Sequence, residues 1–572
     1  MMAKERFAAL YTTAGEQQDP VPGYHPRPQL RRDSWLNLNG LWDFCANSET
    51  CAPEKYFEQI RVPFAPESLL SGIHRRFAPD TSFWYRKAFV LPEAWTSGRV
   101  LLHFGAVDQV ARVWINGRKL GMHTGGYDPF TFDITEYLQR ENSLLVHAAD
   151  PLDEKLPHGK QRRDRGGMWY TPVSGIWQTV WLEHVPENHV KSIDITVNAD
   201  TVYFEVSGVE NGRIVLDDGV TVQLNCGHAE LKLEQPHYWS PEDPFLYHFT
   251  LYAGADRVCS YFALRTVSAE TRNGVPRILL NGKLCFLHGL LDQGYWSDGL
   301  FTPAGNDGFE HDILTAKSLG FNTLRKHIKV EPDYFYYLCD LHGMLVIQDM
   351  VNCGGYSFLR DTALPTVGLQ SLPDHYLHRG PETRHNFLEA MGKTVSRLKN
   401  HPSIVCWSIF NEGWGQFDST EVYRSLRLLD STRLIDTASG WFRGGETDLI
   451  SPHVYFRSFR LKTGKKPVLL SEFGGYACKI GEHSFNLTKD YGYRFFRTTP
   501  ELQNALKKLY EDEIIPAAAA GLCGAVYTQL SDVEDEVNGL VTYDRKVCKV
   551  DRETMLEISR RLTEAVRDPD LP

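Results

Sequence analysis

Through the first 185 or so positions, apolar and polar residues alternate over short runs broken by Gly, Pro, Asn and Asp, as in Arg99-Val100-Leu101-Leu102-His103-Phe104-Gly105 and Arg112-Val113-Trp114-Ile115-Asn116-Gly117-Arg118. Alternation of period two buries one face of a strand and exposes the other. Asn116-Gly117 is a tight hairpin dipeptide, because both residues tolerate positive φ. Residues 1–185 are therefore expected to form a jelly-roll β-sandwich, apart from an early stretch to about Gly23 that is expected to be loosely ordered. The pattern continues over residues 186–267, with Ile193-Asp194-Ile195-Thr196-Val197 and Phe249-Thr250-Leu251-Tyr252, near the size of an immunoglobulin-like sandwich. After Arg272-Asn273-Gly274, apolar strands alternate with helical stretches such as Asp307 to Leu319, Asp333 to Leu341 and Pro381 to Leu398. Eight strands can be counted: Leu284 to Leu287, Thr323 to Arg325, Leu345 to Gln348, Ile404 to Phe410, Leu434 to Asp436, Leu449 to Ser451, Val468 to Ser471 and Gly524 to Thr528. Residues 268–572 are expected to close a (β/α)8 TIM barrel.

A chain of 572 residues suits about three domains. The net charge of −11 argues against a nucleic-acid partner, which usually shows as a basic face. No apolar run approaches a membrane span, and no h-region follows the polar start Met1-Met2-Ala3-Lys4-Glu5-Arg6, so a cytoplasmic location without membrane attachment is expected. Eleven cysteines without Cys-x-x-Cys or metal-ligand spacing read as reduced core residues.

The chemistry is carried by two glutamates. Glu412 ends Ile409-Phe410-Asn411-Glu412 after the fourth strand, and Glu472 lies in Leu470-Ser471-Glu472-Phe473-Gly474 at the seventh, so both belong at the C-terminal mouth where barrel enzymes place their chemistry. Two carboxyls meeting there point to glycoside hydrolysis. The acidic group Asp532-Val533-Glu534-Asp535-Glu536 reads as a solvated loop rather than a site for a hard cation, and no metal or cofactor is expected.

Longer motifs carry a resemblance. Leu36-Asn37-Leu38-Asn39-Gly40-Leu41-Trp42-Asp43-Phe44, Trp84-Tyr85-Arg86-Lys87, Gly125-Gly126-Tyr127-Asp128-Pro129-Phe130 and Ser174-Gly175-Ile176-Trp177-Gln178 in the first domain are joined by His401-Pro402-Ser403-Ile404-Val405 running into Trp407-Ser408-Ile409-Phe410-Asn411-Glu412, and by Ser471-Glu472-Phe473-Gly474. Together they resemble glycoside hydrolase family 2, which includes β-galactosidases, β-glucuronidases and β-mannosidases. The resemblance implies a retaining, exo-acting enzyme with Glu472 as nucleophile and Glu412 as acid/base. It also implies Asn411 on the sugar 2-hydroxyl, with Arg325 and Tyr455 supporting the nucleophile. Trp414 and Trp441 either stack on sugar rings or simply pack, and His288, Asp292, His327 and Tyr527 are barrel-end residues that either line the pocket or do not.

The departures bear on the sugar. Where better-known relatives read Arg-Thr-Ser-His-Tyr-Pro, this chain reads Arg325-Lys326-His327-Ile328-Lys329-Val330-Glu331-Pro332, and Val537-Asn538-Gly539-Leu540-Val541 lacks the lysine of the glucuronidase Asn-x-Lys motif. The expected substrate is a β-galactoside or a glycoconjugate bearing one. A β-glucuronide or β-galacturonide, with Lys326 and Lys329 presenting charge, an α-L-arabinofuranoside, and a non-catalytic carbohydrate-binding role all remain as alternatives. Assembly into a homo-oligomer is left open.

Overall fold

The computed structural model describes residues 5–566 apart from 18–19, 367, 370–373, 375–376 and 379. Two β-sandwiches precede a barrel. In the first, a four-stranded sheet (Trp35–Asn37, Val180–Val185, Arg99–Phe104, Phe130–Asp133) packs on a six-stranded one (Glu58–Val62, Gly40–Asn47, Ser82–Phe89, Asn142–Ala149, Val110–Ile115, Arg118–Thr124). Their inward positions, among them Trp42, Phe44, Val113 and Leu182, make one apolar core. Asn116 and Gly117 turn the predicted hairpin with φ of 50° and 78°. The second sandwich pairs a three-stranded sheet (Ser192–Asn198, Thr201–Ser207, His228–Lys232) with a four-stranded one (Thr221–Leu224, Gly212–Leu216, Tyr247–Ala253, Asp256–Phe262) around Phe204, Phe249 and Phe262.

The barrel has eight parallel strands: Leu287–Asp292, Thr323–Lys326, Leu345–Asp349, Ile404–Asn411, Leu434–Ser439, His453–Val454, Val468–Gly474 and Leu522–Thr528. The ladder is continuous except between the fifth and sixth strands, which are joined by single bonds from Gly440 N to Ser451 O (2.8 Å) and Asp448 N to Ile435 O (3.0 Å). All eight strands are buried, and several, such as Leu345–Asp349 and Leu522–Thr528, read as largely apolar runs, whereas Thr323–Lys326 and Leu434–Ser439 carry buried polar residues. Two expected strands sit elsewhere. Leu284 belongs to a hairpin with Val275–Leu280, so the first barrel strand starts three residues later. The sixth is only His453–Val454, because Pro452 offers no N–H to a ladder and Ile450 makes an isolated bridge to Val468. The helices Gly308–Ser318, Asp333–His342 and Pro381–Leu398 lie where the sequence places them.

Three further expectations are corrected. Of the early residues, 1–4 and 18–19 lie outside the described ones, and those between are pinned to the barrel: Leu10 is buried, Ala8 N donates to Phe485 O, and Thr12 donates to Asp298 Oδ2 from its backbone N–H (2.8 Å) and its hydroxyl (2.7 Å). The Asp532–Glu536 loop is buried rather than solvated, because Lys549 pairs with Asp532 (2.6 Å) and Arg165 with Glu534 and Asp535 (both 3.0 Å). The cysteines are all unpaired thiols, yet Cys51, Cys226 and Cys548 are exposed rather than in a core. Among the described residues no helix is long and apolar enough to cross a membrane.

Candidate active site

Alternation along the second strand aims Arg325 into the barrel, where it has no exposed surface. From there its guanidinium reaches three other strands. Nε donates to Asp349 Oδ1 (3.0 Å), Nη2 to Asn411 Oδ1 (2.9 Å), and Nη1 to Glu472 Oε1 (3.0 Å) and Ser471 O (3.2 Å). A ladder irregularity between Leu470 and Phe473 on the seventh strand accompanies the inward turn of Glu472. Glu412 has φ of 51°, a left-handed conformation that costs a non-glycine residue about 1–3 kcal/mol and that persists where surrounding structure enforces it. Its N–H is fixed by Ser439 O (2.9 Å), and Gly413 follows, where a Cβ would lie 2.4 Å from the Phe442 ring.

His453, at the start of the short sixth strand, stands between the two glutamates. Nδ1 lies 2.9 Å from Glu412 Oε1, while Nε2 is 2.9 Å from Ser439 Oγ, 3.3 Å from Arg325 Nη1 and 3.6 Å from Glu472 Oε1. Ligand atoms of Glu412, His453 and Glu472 all fall within 4.8 Å of one another, the one donor set of this kind among the described residues. A cation there would meet the Arg325 guanidinium, which already holds Glu472. The Tyr455 hydroxyl donates to Glu472 Oε2, and its ring stacks on Tyr493 at 3.8 Å between centroids. Burial by itself would push the Glu472 carboxyl up, but His453, Arg325, His327 and the Tyr455 hydroxyl together pull it down to about 2. Glu472 is therefore an anion at any working pH.

Of the other residues named from sequence, His327 joins the site through Asp349 Oδ2, 2.8 Å from its Nδ1, and burial lowers it to about 4. Trp414 stands beside His327, Trp169 and Tyr356, and the Trp441 ring meets His453 edge-on at 5.7 Å. Three are turned elsewhere. His288 faces the helical layer, against Gly320 O and the Tyr510 hydroxyl (both 3.0 Å), since the first strand begins later than expected and His288 falls within it. Tyr527 packs on Phe473, and its hydroxyl accepts from Tyr476 N (3.2 Å). Asp292 pairs with Lys326 (2.5 Å), and Glu331 takes both Lys326 and Lys329 (each 2.9 Å), so neither lysine presents charge at the mouth. Sequence reasoning missed Asp349, Ser439 and His453. His453 lies in Pro452-His453-Val454-Tyr455, two residues before Tyr455, which was the available signal.

Two sandwiches ahead of a barrel with paired carboxyls at its mouth define a multidomain barrel of carbohydrate-enzyme type, and comparison with known proteins gives it a family. Models described as the sugar binding domain of glycosyl hydrolases family 2, as glycosyl hydrolases family 2 and as the TIM barrel domain of that family match residues 71–186, 182–265 and 272–559 in turn, and the chain belongs to that family. A β-galactosidase of Priestia megaterium is 26% identical over 544 residues, covering 86% of this chain and 49% of its own length. A β-glucuronidase of Paenibacillus borealis is 23% identical, covering 72% and 73%. The chain thus spans about half the length of the first of these relatives. A solved β-glucuronidase structure from an uncultured Clostridium superposes with a TM-score of 0.71 at 18% identity, over 95% of this chain and all of that one, and shares its fold.

Proposed function

We propose that the chain is a retaining, exo-acting β-glycosidase. In the first step a Glu472 carboxylate oxygen bonds to the anomeric carbon as the glycosidic C–O bond breaks, and the departing oxygen takes the proton of Glu412. In the second, water adds to that carbon, its proton passes to Glu412, and Glu472 leaves as a carboxylate. The observation that carries this reading is the spacing of the pair. Facing carboxyl oxygens within 4.8 Å suit the roughly 5–5.5 Å of retaining enzymes and leave no room for the water that holds inverting carboxyls about 6.5–9.5 Å apart. Arg325 and Tyr455 keep Glu472 ionised and aimed, and Asn411, fixed by Arg325, offers its amide N–H to the sugar 2-hydroxyl.

The missing lysine of the Asn-x-Lys motif counts against a glucuronide and leaves a β-galactoside as the first candidate, while one of the two relatives named above is called a β-galactosidase and the other a β-glucuronidase. The test is release of nitrophenol from aryl β-galactoside, β-glucoside, β-mannoside, β-glucuronide, β-galacturonide and α-L-arabinofuranoside by wild type and Glu472→Gln. One clear substrate, lost in the variant, is expected. Azide added to Glu412→Ala should give a β-glycosyl azide; an inverted azide would overturn the assignment of Glu412. Binding of oligosaccharides without turnover of any glycoside would make the chain a carbohydrate-binding protein instead.

A further inference from the structure

The first domain enters the barrel mouth through residues 151–174, which lie between the strands Asn142–Ala149 and Gly175–Ile176. This segment is clamped to two barrel loops. Arg165 pairs with Glu534 and Asp535, Thr171 N donates to Glu534 Oε1 (3.0 Å), the Tyr170 hydroxyl donates to Glu536, and His158 N donates to Asn352 O (3.2 Å). On it sits Lys160, 7% exposed. Its ammonium lies 5.3 Å from the Trp414 ring centre and 5.7 Å from that of Tyr170.

Among the described residues, the Lys160 ammonium has no hydrogen-bond acceptor and no carboxylate within 4 Å, whereas Arg325, Lys326, Lys329 and Arg165 each have one within 3.0 Å. Glu536 acts on Lys160 only from beyond that range, and Tyr170 and Gln529 both donate to its Oε2. The Trp414 ring that Lys160 faces also meets His327, at 6.4 Å between centroids, and His327 shares Asp349 with Arg325, the group that holds Glu472. A second buried donor there, Trp414 Nε1–H, lacks an acceptor too. Taking an ammonium out of water carries a desolvation cost that two aromatic faces offset only in part. What would complete the site is an anion with oxygen acceptors.

We infer that Lys160 anchors a carboxylate carried by the substrate sugar, so that the preferred glycone is a β-linked uronic acid. A neutral sugar would offer hydroxyl dipoles where a full countercharge is missing. The inference rests on the retaining-glycosidase reading and moves the uronic sugars ahead of the β-galactoside named as first candidate. It also assigns the selectivity to the first domain rather than to the loop after the eighth strand.

The experiment compares kcat/KM on aryl β-galacturonide and β-glucuronide with the matching β-galactoside and β-glucoside, for wild type, Lys160→Met and Lys160→Arg. Wild type should favour one uronide over its neutral counterpart by about 100-fold or more. Lys160→Met should lower that uronide about 100-fold, largely through KM, and the neutral sugar less than about threefold, while Lys160→Arg keeps most of the preference. A wild type that prefers the neutral sugar overturns the inference and leaves the glycosidase reading standing. So does a Lys160→Met variant that loses both sugars alike while Lys160→Arg behaves as wild type on both. Silence of the wild type on every sugar overturns the glycosidase reading itself.

Discussion

Arg325 and Lys326 are neighbours on one barrel strand, and they inhabit two different electrostatic regions. Alternation sends Arg325 into the mouth, to Asp349, Asn411 and Glu472, and Lys326 to the other side, to Asp292 and Glu331 beside the Phe335 ring. Both cations are fully buried and ion-paired. The difference is in what the pairs face. Around Lys326 and Lys329 the ammoniums are taken up by two carboxylates and by backbone carbonyls, with Lys329 donating to Gly294 O (2.6 Å) and Phe301 O (2.9 Å), and Glu331 Oε2 is left without a donor. Around Arg325 the carboxylates are oriented but face a second carboxylate and an open mouth. A closed charge cluster serves the fold, and an oriented, incompletely closed one is available for chemistry.

The largest expected effect comes from breaking the open region. Glu472→Gln keeps the shape and removes the nucleophile, so kcat/KM should fall by about 10⁴-fold or more on the best aryl glycoside, while the melting temperature changes little. Retention of measurable turnover after exclusion of wild-type carry-over would mean that another group forms the covalent bond.

The counterpart in the closed region is Lys326→Met. It leaves Asp292 and Glu331 buried with one ammonium between them, which should cost about 3–5 kcal/mol of stability. Thermal and urea unfolding would register the loss, and activity per folded molecule should stay within a few-fold of wild type. A variant that melts normally but loses turnover would move Lys326 into the reacting region.

Arg325→Lys sharpens the comparison through pH. Arg325 is one of the groups holding the Glu472 carboxyl at about 2, so replacing its fork with a shorter point charge should raise that carboxyl and move the acid limb of kcat/KM to higher pH. Stability follows the same sign. A carboxyl whose folded value lies below its unfolded value of about 4.3 contributes stability that is full above that value and is lost as pH falls through the folded one. In the variant the loss should therefore begin at higher pH. An acid limb unchanged from wild type would show that His453 and Tyr455 suffice to hold the anion.

How far these regions can be read in the sequence depends on whether a contact is local. Barrel strands announce themselves as apolar runs, and residues at their ends, Arg325, Asn411, Glu412 and Glu472, follow from strand order alone. His288 illustrates the cost of a boundary error: starting the first strand at Leu284 leaves it at the mouth, whereas starting at Leu287 puts it inside the strand and faces it to the helices. The acidic run Asp532–Glu536 looked solvated because its countercharges Arg165 and Lys549 lie up to 370 residues away in the chain. Lys160 had no local signal at all. Its meaning depends on Trp414, Tyr170 and His327 converging from separate segments.

The smallest effect tests how the open region divides its work. Tyr455 donates to Glu472 Oε2, the oxygen that Arg325 does not take, and its ring is held flat on Tyr493. Tyr455→Phe removes one charge-assisted hydrogen bond and leaves the stack, so the expected loss is about 1.5–3 kcal/mol, or roughly 10- to 150-fold in kcat/KM. The hydroxyl also lies 3.3 Å from Thr528 Oγ1, which gives it a second partner once the covalent intermediate occupies a Glu472 oxygen. The loss should consequently fall on formation of the intermediate more than on its hydrolysis. Pre-steady-state release of nitrophenol would separate the two: a slower burst with an unchanged steady state is expected. An unchanged burst with slower turnover would instead place the hydroxyl's contribution in the second step, where it would help Glu472 to leave.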